Sequence, residues 1–157
     1  MSTASSHTDN QRENIGRLLL HAQRDFDAEL NARLRERGYP DVRQAHSALF
    51  AHIDPEGTRS SELAERAGMT KQGMGQLVAD LEKKGYVERV EDPADGRARL
   101  VRLTKKGRHH VREAREIIGE IEETYARRLG EGRLETLRAI LKDLSPRQRS
   151  SKSCRCL

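Results

Sequence analysis

Apolar residues in the first third of the chain recur at the 3.6-residue period of an amphipathic helix. Ile15, Leu18, Leu19, Ala22, Phe26, Leu30 and Leu34 fall on one stripe. The stripe predicts a helix over about residues 10–37 that buries a single face. Gly38 and Pro40 end it, the proline because its ring and missing N–H cannot continue the ladder. A second helix is expected over about 42–53, then a turn at Asp54-Pro55-Glu56-Gly57. Two short helices follow, about 61–67 and 71–84, separated only by Gly68-Met69-Thr70. The period then becomes that of strands. Residues 86–91 and 97–103 predict a β-hairpin with a longer loop around "DPADG". Thr104 suits the N-cap of a long helix carrying Val111, Ala114, Ile118, Ile121, Tyr125 and Leu129 on one stripe. "GEG" at 130–132 breaks that helix. Leu134, Leu137, Leu141 and Leu144 then form a heptad-like seam that stops before Pro146.

The order is helix, helix, helix–turn–helix, hairpin, helix, helix, with no internal repeat. The fold class read from it is mainly α with a small β-hairpin wing. A single domain is expected over 11–144, with the winged helix–turn–helix at about 43–104 and long amphipathic helices at about 11–37 and 105–144. One apolar stripe on each long helix suits a bundle, and the surplus apolar surface suits a partner chain. Residues 1–10 read as a disordered arm and 145–157 as a basic disordered tail.

Composition narrows the class. At 157 residues the chain can bury a real core, and with no tryptophan and few aromatics that core is built from Leu, Ile, Val and Ala. No apolar run approaches the roughly 20 residues of a membrane span, and the N-terminus has no hydrophobic stretch of a secretory signal. The net charge is +5, and its distribution matters more than its size. Residues 58–108 hold 12 basic and 8 acidic residues, and the tail holds four basic residues and no acid. The remainder is mildly acidic, so a basic middle lies between acidic flanks. Both cysteines, Cys154 and Cys156, sit in the last four residues. They form no disulfide framework, which points to the cytoplasm. The "CRCL" ending has the spacing of a prenylation box, but Arg155 fits its aliphatic positions poorly.

The helix–turn–helix carries the candidate chemistry. Met74, Leu77, Val78 and Leu81 stand at i, i+3, i+4 and i+7 and must face inward. That leaves Lys71, Gln72, Gly75, Gln76, Ala79 and Lys83 outside or partly so. A helix–turn–helix places the N-terminal end of its second helix in the major groove. There Gln72 and Gln76 can bond adenine and Lys71 can reach guanine or phosphate. A merely solvated helix face reads the same when taken alone. The hairpin favours DNA, because it carries Asp95 and Arg97 at its tip with Arg99 and Arg102 behind. An arginine on a narrow projecting loop suits the minor groove, and Asp95 can hold Arg97 extended through a salt bridge. Thr70, Ser60 and Ser61 can meet phosphates through hydroxyls or helix N-termini. Gly73 and Gly75 are unusual, since each glycine costs about 1 kcal/mol against alanine in a helix interior. We read Gly75 as facing DNA to allow close approach. Gly73 is read as letting the preceding helix pack tightly.

The pieces "SELAERAGMTKQ" and "LVADLEKKGYVERVEDPADGRARLVRLTKKG" resemble the winged helix–turn–helix of the MarR family of bacterial transcription regulators. The most specific part is the wing pattern Asp95-x-Arg97 followed by Leu103-Thr104 and Gly107. The likeness covers about residues 43–108. It implies a homodimer with interleaved N- and C-terminal dimerisation helices and two wings flanking a pseudo-palindromic site on double-stranded DNA. It also implies a repressor released by a small aromatic or phenolic ligand. Gly96 departs from the pattern, since many members carry a second charged residue there.

An effector site is expected between the dimer helices and the winged domain, with His21, His46, Leu49, Phe50 and Ile53 as candidates. His46 and Phe50 are four apart and can share a helix face. His109 and His110 are adjacent and point apart, which makes a poor metal pair, so no metal and no cofactor are expected. There is no phosphate-binding glycine loop, zinc motif or nucleophile elbow, so an enzyme is not expected. The other open reading is a winged helix used for protein contacts. It calls for an apolar or acidic exposed face where this chain has Lys and Gln.

Overall fold

Asn14 opens the first helix by accepting the Arg17 N–H on its side-chain oxygen at 3.0 Å. The computed structural model describes residues 14–145 from this cap onward. Helix α1 runs Ile15–Glu36. A 3-10 helix, Gln44–His46, leads directly into α2, Ser47–Phe50. Then come β1 (Thr58–Arg59), α3 (Ser60–Arg66) and α4 (Lys71–Lys83). The hairpin strands are β2 (Val87–Asp92) and β3 (Asp95–Leu103), and two helices close the chain, α5 (Lys105–Leu129) and α6 (Glu131–Leu144). The arm expected over 1–10 and the tail beyond Ser145, with both cysteines, lie outside the described residues.

Three sequence expectations change. The helix expected over 42–53 is one 3-10 turn and one α turn. The His46 side chain causes this, because its Nδ1 accepts the Arg43 N–H at 2.9 Å and tightens the first turn. The sheet has a third strand, β1, pairing antiparallel with β3 through Thr58↔Val101 and Arg59↔Leu100. Two residues are too few to show a strand period. The hairpin loop is also shorter than expected. Asp92 pairs with Asp95 across a Pro93-Ala94 turn, while Glu91 pairs with Arg99. Gly96, Arg97 and Ala98 therefore bulge from β3 with no partner on β2.

The core gathers at the crossing of α2, α3, α4, β2 and α5. Leu49, Leu63, Met74, Val78, Leu81, Tyr86 and Ile117 are fully buried there, each contributing on the order of 2 kcal/mol or more by leaving water. The α1 stripe is buried only at its C-terminal end, at Leu30 and Leu34. There α1 lies along α5, clasped by ion pairs from Arg33 to Glu120 at 3.1 Å and from Arg37 to Glu113 at 3.1 Å. Arg37 also bridges to Glu120. At the other end Ile15, Leu18 and Leu19 are exposed, and so are Leu137, Ile140, Leu141 and Leu144 of α6.

Helix α5 joins this bundle to the hairpin through one close approach. Thr104 caps α5, accepting the Gly107 N–H at 3.1 Å. Its hydroxyl donates to the Gly85 carbonyl at 2.6 Å. Its own N–H donates to the Tyr86 carbonyl at 3.0 Å. A Cβ on Gly107 would stand 2.1 Å from that Tyr86 oxygen. Gly107→Ala is therefore expected to destabilise the fold by about 1–3 kcal/mol, measured as a lowered midpoint in urea. An unchanged midpoint would mean the α5 start has slack that the geometry does not suggest.

Candidate nucleic-acid interface

The turn between α3 and α4 is set by Gly68, in the left-handed region at φ 63°. Thr70 then caps α4, accepting the Gly73 N–H at 3.0 Å. Met74, Val78 and Leu81 bury one face of α4, and Leu77 is half-buried against the same core. The opposite face carries Lys71, Gln72, Gln76 and Ala79, all exposed. Ser61 is exposed and Ser60 half-buried at the start of α3.

The two glycines separate. A Cβ on Gly73 would stand 3.0 Å from the capping hydroxyl of Thr70, not against α3. The expected packing role therefore gives way to a local one, room for the cap. A Cβ on Gly75 would meet nothing within 4 Å, so nothing inside the protein requires a glycine there.

The wing is fastened at its base. Arg59 on β1 donates to Asp92 Oδ2 from Nε at 2.8 Å and from Nη2 at 2.5 Å. Asp92 Oδ1 accepts the Ala94 N–H at 2.9 Å. The Ala94 N–H and the Arg59 guanidinium hold the Asp92 carboxyl below its ordinary range. Asp95 does not form the salt bridge expected with Arg97. Its Oδ1 accepts the Arg97 backbone N–H at 3.2 Å, and its Oδ2 lies 3.6 Å from Arg59. The tight turn explains this, since two residues leave Asp95 facing the strand base. Arg99 stands 3.8 Å from Glu91 and Arg102 2.8 Å from Glu88. The Arg97 side chain is exposed, and no carboxylate pairs with it among the described residues.

A second fastening holds α4 against the α1–α2 connection. One oxygen of Asp80, Oδ2, accepts from Arg43, His46 Nε2 and Lys84 Nζ, each at 2.8 Å. Lys84, with Arg43 and His46, holds the Asp80 carboxyl well below the usual carboxylate range. His46 is fully buried and neutral, accepting at Nδ1 and donating at Nε2, with burial pushing its pKa down. Sequence patterning gave no signal for Asp80, Arg59 or Asp92, because each acts across elements distant in sequence.

The effector candidates scatter. His46, Leu49 and Ile53 are buried core residues, and His21 lies exposed on the N-terminal half of α1. Only Phe50 lines the cavity of about 200 Å³ that lies between α1, α2 and α5. The histidine beside it is His110, which sequence reasoning treated only as a poor metal partner. Its spacing from Ala114 and Ile117 places it on the buried face of α5, a signal legible in the stripe. His110 packs against Phe50, Tyr39 and Tyr86, with ring centroids at 4.6, 4.9 and 5.5 Å. Burial pushes its pKa down to about 4.

A three-helix unit with an exposed polar face on its last helix, flanked by a hairpin with an exposed arginine at the tip, defines a winged helix–turn–helix protein. The MarR family profile matches residues 41–98. The transcriptional regulator HosA of Escherichia coli O111:H- is 34% identical over 91 residues, 57% of this chain and 67% of its own. The transcriptional repressor MprA of Escherichia coli K12 is 28% identical over 112 residues, 70% of this chain and 64% of its own. Among solved structures, a mutant of MarR from Escherichia coli complexed with operator DNA superposes with a TM-score of 0.71. It covers 88% of this chain and 99% of its own at 23% identity, a likeness of fold. The chain belongs to the MarR family and is a transcription regulator of that type, not an enzyme.

Burial of His110 gives the fold a defined pH response. The unfolded histidine titrates near 6.5 and the folded one about 4. Between those values the unfolded state binds more protons, so stability is complete above 6.5 and is lost as pH falls. About 2 kcal/mol of unfolding free energy should disappear between pH 7 and pH 5 through this one group. Urea titrations at the two pH values check it, and His110→Leu should remove that share of the dependence.

Proposed function

We propose that the protein is a ligand-responsive repressor that binds a pseudo-palindromic operator as a homodimer, acting on DNA in the cytoplasm. The observation that carries the reading is the pairing of two unengaged surfaces. One is the Lys71, Gln72 and Gln76 face of α4, and the other is Arg97 in the bulge at the wing tip. Side chains with work inside the protein are tied to partners, as Arg59 and Arg102 are. Lys71, Gln72 and Gln76 are the base readers. Ser60, Ser61, Thr70 and Arg99 contact phosphates. Arg97 enters the minor groove, with Asp95 supporting it through its backbone N–H rather than its guanidinium. Gly75 keeps the helix backbone bare where it nears the groove edge.

The exposed apolar ends of α1 and α6 support a second copy of the chain as their cover. The cavity between α1, α2 and α5 is the effector site, with Phe50 and His110 in its wall. Its floor and the Asp80 cluster share one short segment. Val42, Ser47 and Phe50 line the cavity, while Arg43 and His46 hold α4 through Asp80. A ligand that shifts this segment shifts the recognition helix.

Selection of binding sites from random duplex DNA near physiological salt tests the reading. A two-fold pseudo-palindrome with half-site centres about one helical turn apart, or a multiple of it, is expected. No enriched motif, with binding lost at modest salt, would instead favour a winged helix that contacts protein. Arg97→Ala should weaken operator binding by about 1–3 kcal/mol and leave the sedimentation of the dimer unchanged. Gly75→Ala should raise stability by up to about 1 kcal/mol, and Gly75→Leu should weaken operator binding without lowering the melting temperature. Full affinity in Gly75→Leu would remove the close-approach role.

A further inference from the structure

The walls of the cavity between α1, α2 and α5 specify a ligand more narrowly than shape does. Phe26, Leu30, Val42, Phe50, Val111 and Ile118 make them largely apolar. A volume of about 200 Å³ falls below the roughly 300–1,000 Å³ of sites for drug-sized molecules, so one substituted ring fills it. Neither lysine nor arginine lines it, and Asp27 does. The Asp27 carboxylate is half-buried and accepts only neutral amide donors, Gln23 Nε2 at 3.0 Å and Gln44 Nε2 at 2.7 Å. Its charge therefore has no cation against it among the described residues. His110 also lines the cavity, and its Nδ1 is buried with no hydrogen-bond partner. A buried polar atom left unpaired is costly, and a ligand that bonds to it removes that cost.

We infer that this cavity takes a small hydroxylated arylalkylamine and rejects the matching carboxylate. The ring lies among Phe26, Leu30, Val111 and Ile118, the ammonium faces Asp27, and the ring hydroxyl reaches His110 Nδ1. An anion in the same place would meet the Asp27 charge with no lysine or arginine among the described wall residues to offset it. The inference rests on the cavity being the effector site and adds the charge and chemistry of the effector.

Calorimetry on the full chain with tyramine, phenethylamine and 4-hydroxyphenylacetate tests it, with operator binding followed in parallel. Tyramine is expected to bind at least about tenfold more tightly than 4-hydroxyphenylacetate. Phenethylamine, which lacks the hydroxyl, should bind several-fold more weakly than tyramine. Asp27→Asn, at a half-exposed helix position, should fold normally and remove the preference for the amine over the acid. Equal or tighter binding of the acid, or a preference untouched by Asp27→Asn, would overturn the proposed ligand class. So would the failure of all three to bind a chain that still binds its operator. Tyramine binding with the expected preference in a chain that binds no operator would sink the regulatory reading and leave the ligand class standing.

Discussion

The Tyr86 carbonyl takes the Thr104 N–H at 3.0 Å and sits where a side chain at position 107 would have to be. Through that contact the first turn of α5 lies directly on the start of β2. The rest of the architecture is arranged around it. The Tyr86 ring is fully buried among Tyr39, Phe50 and His110. Its hydroxyl donates to Asp41 at 2.7 Å, next to the segment that carries the Asp80 cluster. One residue thus joins the long helix, the wing and the α1–α2 connection.

This arrangement gives the two functional regions different mechanical characters. Charge-assisted hydrogen bonds hold the wing base and α4, partly buried at Arg59–Asp92 and nearer the surface at Asp80. The parts proposed to touch DNA lie just beyond those anchors and have few internal contacts. Arg97 stands in a bulge, Gly75 is bare, and Gln72 and Gln76 face outward. A rigid frame with unengaged tips lets binding energy go into contacts rather than into ordering the protein.

The buried histidines serve the same frame in different ways. His46 has both ring nitrogens satisfied and fixes α4 to the segment before α2. His110 has an unpaired Nδ1 beside a cavity, which is the pattern of a group kept for a ligand. Two residues of one type, both buried, divide into structural and chemical roles according to whether their hydrogen bonds close inside the protein.

Much was legible in the residues themselves. The stripes on α1 and α5, the inward face of α4, the caps at Thr70 and Thr104 and the exposed Lys71, Gln72 and Gln76 follow from local periodicity and capping chemistry, which act over three or four residues. The likeness in Asp95, Arg97 and Gly107 named the family for the same reason, since the wing is one continuous stretch. Tertiary structure alone decided what depends on residues far apart in the chain. Strand β1 exists because β3 offers it an edge, Asp95 turns to Arg59 because the wing tip is tight, and Asp80 gathers donors from a segment 34 residues or more away. It also set His110 beside Phe50 in the cavity wall and placed His46, Leu49 and Ile53 in the core. Periodicity reports that a side chain faces inward. Whether it meets another side chain or an open space depends on how the helices cross.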